Sequence, residues 1–211
     1  VYQISTSTKE QHRIIKDYII KKYKNKRVVV LYDKKEENYA LNLKKKFRKE
    51  TKVIYLNEIN STRVDSIRKF FQDFQIVIIP STNKAFVSKL LASIGSIDST
   101  SIVFGLDSWK RYDNLDIDNL MELDVHLPVS NPFNYNSNHD LAFLRLFEKE
   151  YNTNHGKYTS VGYNIIMHFC SKKRLYKFKN IKSNGIKENI TAPIFHYKDY
   201  QFVPVNRSIL R

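Results

Sequence analysis

Short runs of β-branched residues alternate with amphipathic helical segments through the first half of the chain, and that alternation constrains the fold more than any other feature. The run Arg27-Val28-Val29-Val30-Leu31-Tyr32 is continuously apolar after its first residue. Such a run suits a strand buried on both faces of a parallel sheet better than an alternating surface strand. Lys52-Val53-Ile54-Tyr55-Leu56, Gln75-Ile76-Val77-Ile78-Ile79 and Ser101-Ile102-Val103-Phe104 have the same character. Between them, helical spacing of apolar residues predicts helices over 9–23, 36–49, 63–74 and 84–97. Ile14, Ile15, Tyr18, Ile19 and Ile20 mark the first, after the candidate caps Ser7 and Thr8.

Short strands separated by helices of roughly 10–15 residues are the signature of βαβ units, whose crossovers are right-handed. The expected class is therefore α/β, a doubly wound, mostly parallel sheet in a three-layer αβα sandwich. Beyond it, the pattern predicts a short helix at 117–122, a strand at 124–127 and a turn over 128–136. Helices at 140–151 and 160–176 follow, and a hairpin pairs 194–197 with 201–205 around Lys198-Asp199-Tyr200.

Charge invites a nucleic-acid reading, because the chain carries a formal net charge of +15. The excess sits at the two ends: residues 1–60 carry +9, 61–120 are neutral, and 121–211 carry +6. Lys21, Lys22, Lys24, Lys26 and Arg27 lie between a helix and a strand, and Lys44, Lys45, Lys46, Arg48 and Lys49 close the next helix. Cations there complement helix C-terminal dipoles, which makes solvated faces the simpler account. Residues 171–189 hold seven Lys and Arg against one acid and are expected to form a basic, mobile loop. Tyr176 and Phe178 interleave aromatic surface there, as in a groove for an anionic polymer.

The search for chemistry excludes several classes. No Walker loop, Gly-x-Gly-x-x-Gly, His-Glu-x-x-His or Gly-x-Ser-x-Gly occurs, and the turns after Tyr32, Leu56 and Ile79 lack glycine. A conventional nucleotide-binding enzyme does not fit. The six histidines, at 12, 126, 139, 155, 168 and 196, show no i, i+4 pairing and read as lone residues, so neither a metal site nor a cofactor is expected. The single Cys170 reads as a small buried residue. Ser81, Ser108 and Cys170 have no recognisable base partner, and no catalysis is expected.

Ligands of open α/β sheets bind beyond the carboxyl ends of the strands. That rim is formed by Tyr32 and Asp33 after the first strand, Asn57 after the second, Ser81, Thr82 and Asn83 after the third, and Leu106, Asp107, Ser108 and Trp109 after the fourth. Ser81–Asn83 equally suit a helix cap, and Trp109 equally suits core closure.

The stretch Ile76-Val77-Ile78-Ile79-Pro80-Ser81-Thr82-Asn83-Lys84-Ala85-Phe86-Val87, followed by Ile102-Val103-Phe104-Gly105-Leu106-Asp107-Ser108-Trp109, resembles type I periplasmic solute-binding proteins. The resemblance extends through Phe143, Phe147 and Tyr151 to Val161-Gly162-Tyr163-Asn164, covering roughly residues 1–170. It is nearest to the receptor-like domain that Gram-negative envelope proteins attach to peptidoglycan-binding LysM modules. It implies that 1–128 is the second lobe of such a fold and that 129–211 is a return segment toward a first lobe that this chain lacks. The chain would then be a piece of a longer polypeptide, or a protein partner would cover the helices at 140–176. The resemblance also implies that Asp107 holds a ligand ammonium group, with Tyr32 and Ser81 at looser rim positions.

Three functional readings follow. The first is a non-catalytic module of the periplasm or outer-membrane-associated envelope, binding a small amino-acid-like solute, peptidoglycan or a protein. The second is a structural component of an envelope complex with a vestigial cleft. The third is a basic, cytoplasmic nucleic-acid-binding protein.

Overall fold

The computed structural model describes residues 1–24, 26–47, 51–55, 75–97, 100–133, 137–171, 173–181 and 185–205. Two compact units emerge: the larger takes 8–128 and 194–205, the smaller 1–7 and 129–193. The first strand, β1 (Tyr2–Gln3), belongs to the smaller unit. The larger unit then builds α1 (Thr8–Lys22), β2 (Val28–Tyr32), α2 (Glu37–Lys46), β3 (Thr51–Tyr55), β4 (Ile76–Ile78), α3 (Lys84–Gly95), β5 (Ile102–Phe104), α4 (Ile117–Glu122) and β6 (His126–Pro128). The expected helix at 63–74, with Leu56 and Asn57, lies outside the described residues.

The continuous apolar runs become central strands, because only a position covered on both faces can hide every side chain. All five residues of β2 and all three of β4 are buried. α3 buries Val87, Leu90, Leu91 and Ile94, the i, i+3, i+4, i+7 stripe of an amphipathic helix. Each such aliphatic side chain contributes about 1.5–3 kcal/mol when taken from water.

The smaller unit contributes α5 (Asn138–Tyr151), α6 (Lys157–Cys170), β7 (Phe178–Asn180) and β8 (Lys187–Asn189). The chain then returns to the larger unit as β9 (Ile194–Lys198) and β10 (Gln201–Pro204), the C-terminal hairpin expected from sequence. It pairs antiparallel with β6 and completes a seven-stranded sheet of order β10-β9-β6-β5-β4-β2-β3, parallel from β6 to β3. From β2 the chain steps outward to β3 on one side, then returns to lay β4, β5 and β6 on the other. Right-handed crossovers in opposite directions put α2 on one face and α3 and α4 on the other. This is the doubly wound α/β arrangement, with its switch point between β2 and β4.

The basic stretch 171–189 departs from expectation. Its described residues are ordered: β8 pairs antiparallel with β7 and parallel with β1 in a three-stranded sheet. Asn189, fully buried, anchors it by donating to the carbonyls of Ile4 and Thr191 at 2.9 and 3.1 Å. α6 stops at Cys170, short of the expected 176, because Ser171 turns extended. Tyr176 then packs inward at 3% exposure, and its backbone N–H donates to His168 Nδ1 at 3.2 Å. Cys170, expected to be buried, is exposed, since it ends α6 next to the exposed Phe169.

Candidate functional site

The parallel strands of the larger unit deliver their C-terminal ends to one rim, and the switch point between β2 and β4 lies on it. Asp33 follows β2 directly and caps a 3-10 turn, accepting from Lys35 N–H at 3.1 Å. From the end of β4, the Ser81 hydroxyl donates to Asp33 Oδ2 at 2.7 Å and accepts from Asn83 N–H at 3.1 Å. Ser81 itself is fully buried, while its partners Asp33 and Asn83 keep solvent-accessible surface. Asn83 caps α3, its side chain accepting from Phe86 N–H at 3.2 Å.

Trp109 sits beneath this network at 1% exposure, and its indole N–H donates to the Ser81 carbonyl at 3.0 Å. Its ring lies against Gly105 so closely that a Cβ there would come within 2.4 Å of it. The tryptophan therefore closes the core under the rim. Tyr112 donates to the Thr82 carbonyl at 2.7 Å and lies 3.3 Å from the Ser108 hydroxyl. Asp107 receives the Lys110 ammonium at 2.6 Å, while its backbone N–H donates to Gln11 Oε1 at 3.0 Å.

The expected rim residues thus fall into two groups. Tyr32, Ser81 and Trp109 are buried, while Asp33, Thr82, Asn83, Asp107 and Ser108 retain solvent-accessible surface. Gln11, missed in the sequence, joins them through the α1 N-terminal turn. No local motif could have found it, since its contact spans 96 positions.

Beside Gln11 stands His12, also unremarked by spacing. It is 1% exposed, neither ring nitrogen has a hydrogen-bond partner among the described residues, and its ring lies 3.5 Å from that of Tyr39 between centroids. Burial alone lowers its pKa to about 3, so the imidazole is neutral.

A second polar cluster corrects the expectation of lone histidines. β6 and β9 pair so that His126 and His196 stand directly opposite, ring centroids 5.0 Å apart. The carboxylate of Asp124 lies 2.8 Å from His196 Nδ1, and its backbone carbonyl 2.6 Å from His126 Nδ1. Burial dominates in lowering His126 to about 4, partly opposed by Asp124. For Asp124, burial resists ionisation, but the His196 hydrogen bond and both nearby histidines outweigh it and hold the carboxyl below its ordinary value.

In the smaller unit, Tyr2, Phe169 and Phe178 form an aromatic wall, with Tyr2 edge-on to the other two at 5.0 and 4.8 Å. They line an open pocket with Arg174 and Lys187. Lys187 Nζ reaches the Tyr2 hydroxyl at 3.2 Å and lies 5.1 Å from its ring centroid. Cation and ring share one surface here, but the ring is that of Tyr2; of the two aromatics expected to line a groove at 171–189, Phe178 takes part and Tyr176 is buried instead.

No protein-family model matches the sequence, and no curated protein matches it. Solved structures do match the fold. A substrate-binding protein of an ABC transporter from Desulfitobacterium hafniense, in complex with Leu, superposes with a TM-score of 0.63 at 14% identity, over 94% of this chain and 65% of that one. A putative branched-chain amino acid ABC transporter protein from Rhodospirillum rubrum gives 0.64 at 11% identity, over 97% and 67%. LpoA from Haemophilus influenzae gives 0.54 at 10% identity, over 95% of this chain and 39% of that one. The chain spans about two thirds of the length of the transporter-associated proteins and well under half of LpoA. At these identities the likeness is one of fold: an α/β architecture with a mostly parallel sheet, shared with type I periplasmic-binding-protein-like structures.

Proposed function

We propose that this chain is a non-catalytic binding module of the bacterial cell envelope, acting in the periplasm or at the outer membrane. The observation that carries the reading is the rim at the strand ends, where Asp33, Thr82, Asn83, Asp107 and Ser108 present accessible hydrogen-bonding groups. The carboxyl ends of the strands at a switch point are where open α/β sheets take ligands. The fold likeness to substrate-binding proteins, one of them solved with Leu, supports the same class. The Ser81 hydroxyl meets the Asp33 carboxylate at 2.7 Å, but it is buried and donates there, which suits a scaffold rather than a nucleophile. None of the described helices is long and apolar enough to cross a membrane.

The ligand that suits Asp107 is a small amine-bearing solute of the amino-acid class. Its ammonium group would take the place of Lys110 on the carboxylate. That exchange costs affinity, because Lys110 already neutralises the site. Calorimetric titration of the full-length protein with the amino acids and with soluble peptidoglycan fragments tests the reading. Saturable heat that is lost in Asp107→Asn supports it, and heat with none of these compounds overturns it.

A second reading, an assembly role with a vestigial cleft, is favoured by the way the rim satisfies itself through Ser81–Asp33 and Lys110–Asp107. Leu146, Tyr151, Tyr158, Ile166 and Phe169 on α5 and α6 are also exposed, at 46–73%. A protein partner, or a further lobe of a longer polypeptide, would cover these helices within 140–176. Pull-down from envelope membranes with wild-type and Ile166→Glu chains separates the two. Selective recovery that the glutamate abolishes assigns the assembly role.

A further inference from the structure

We propose that Asp124, His126 and His196 form a binding site for a first-row transition-metal cation of the Zn²⁺ class. One donor atom from each side chain lies within 4.8 Å of the others. Two imidazoles and a carboxylate, leaving a further position for water, are a donor set that Zn²⁺ accepts in tetrahedral geometry.

Tertiary pairing builds this arrangement from residues without any motif spacing. Phe104, His126 and His196 form one row across β5, β6 and β9. Residues directly opposite in an antiparallel pair project from the same face, so the β6–β9 register alone sets the two imidazoles side by side. Phe104, 4.9 Å from the His126 ring, walls the inner flank.

Asp124 is fixed by a different device. It closes α4 in the left-handed conformation, at φ 38°, with Val125 N–H donating to the Leu120 carbonyl at 2.9 Å. Glycine or asparagine is commonest at such a helix end; the aspartate here brings a carboxylate to the histidine pair.

The orientation of His126 is an independent indication. Its Nδ1 meets the Asp124 backbone carbonyl at 2.6 Å, which fixes the N–H on that nitrogen and leaves Nε2 as the ring's lone-pair donor. Metal-binding imidazoles are characteristically oriented in this way, with the second nitrogen donating to a carbonyl or carboxylate. Access is graded: side-chain exposure falls from 42% at Asp124 through 18% at His196 to 2% at His126, so an ion reaches the imidazoles past the carboxylate. Among the described residues, Lys22 is a cation that acts on both Asp124 and His126, and it is held at the Tyr18 hydroxyl at 2.9 Å. None of the three residues is among the rim residues, so the site does not depend on the function proposed for the rim.

Isothermal titration of the full chain, free of affinity histidines, with Zn²⁺ and then Cu²⁺ tests the site. The expected result is one ion per chain, with affinity falling at least about tenfold in His196→Ala and in Asp124→Asn. Lys22→Gln is expected to tighten binding several-fold by removing the facing charge, an effect that a purely structural hydrogen-bonded trio would not show. Circular dichroism verifies that each variant is folded. Absence of heat with both ions overturns the proposal, as does wild-type affinity in the folded His196→Ala chain, which would place the ion on other histidines.

Discussion

At the scale of single residues, His12 sets a pH dependence. A histidine in the unfolded chain titrates near 6.5, whereas buried His12 stays neutral down to about 3. Between those values the unfolded chain takes up the proton first. Stability contributed by this group is therefore intact above 6.5 and lost as pH falls toward 3, by up to about 1.4 kcal/mol per pH unit. Urea denaturation at pH 7 and pH 5 is expected to show this loss in the wild type and a clearly smaller one in His12→Leu. Gly105 makes a second test. Its Cβ-free backbone lies against the Trp109 ring, so Gly105→Ala is expected to cost about 1–3 kcal/mol through overpacking, read as a fall in Tm. Both residues stand in the sequence without any pattern that announces them. The burial of His12 depends on Tyr39, 27 positions away, and the tight fit at Gly105 on how Trp109 folds back beneath it.

At the scale of elements, strand and helix identities were legible because each is set by local periodicity. The runs at 28–32 and 76–78 have the continuous apolar character of doubly covered strands, and α4 falls at the expected 117–122. The C-terminal hairpin was legible from two apolar runs flanking Asp199-Tyr200. Both turn residues adopt positive φ, 50° and 59°, without a glycine, matching the twist of the paired strands. Ends were less legible, as with α6, because Tyr176 and His168 form their bond only once the smaller unit has packed. Asn83 carries an element-scale prediction. As the α3 cap it satisfies Phe86 N–H, so Asn83→Ala is expected to cost about 1 kcal/mol in denaturant titration. Asn83→Ser is expected to restore most of that stability. If Asn83 also contacts ligand, the serine variant will recover stability without recovering affinity.

For the whole molecule, the net charge of +15 predicts general attraction to polyanions. Filter binding to single-stranded DNA is expected to be measurable at about 50 mM salt and to fall steeply by about 200 mM, without sequence preference. Tight binding that persists at the higher salt would favour the nucleic-acid reading over an envelope module. The sequence by itself determined the α/β class and, among the described residues of the larger unit, the order of strands and helices whose ends form the rim, because hydrophobic periodicity, turn residues and crossover chirality are properties of short stretches of chain. Tertiary structure alone decided which rim groups remain accessible. It buried Ser81 and Trp109, tied Asp107 to Lys110 and Gln11, and formed β7 and β8 within the basic 171–189 stretch. It also placed His126 opposite His196, seventy positions away, beside the carboxylate of Asp124. Strand order and register set those contacts, and both follow from how the apolar faces of the whole domain are covered together.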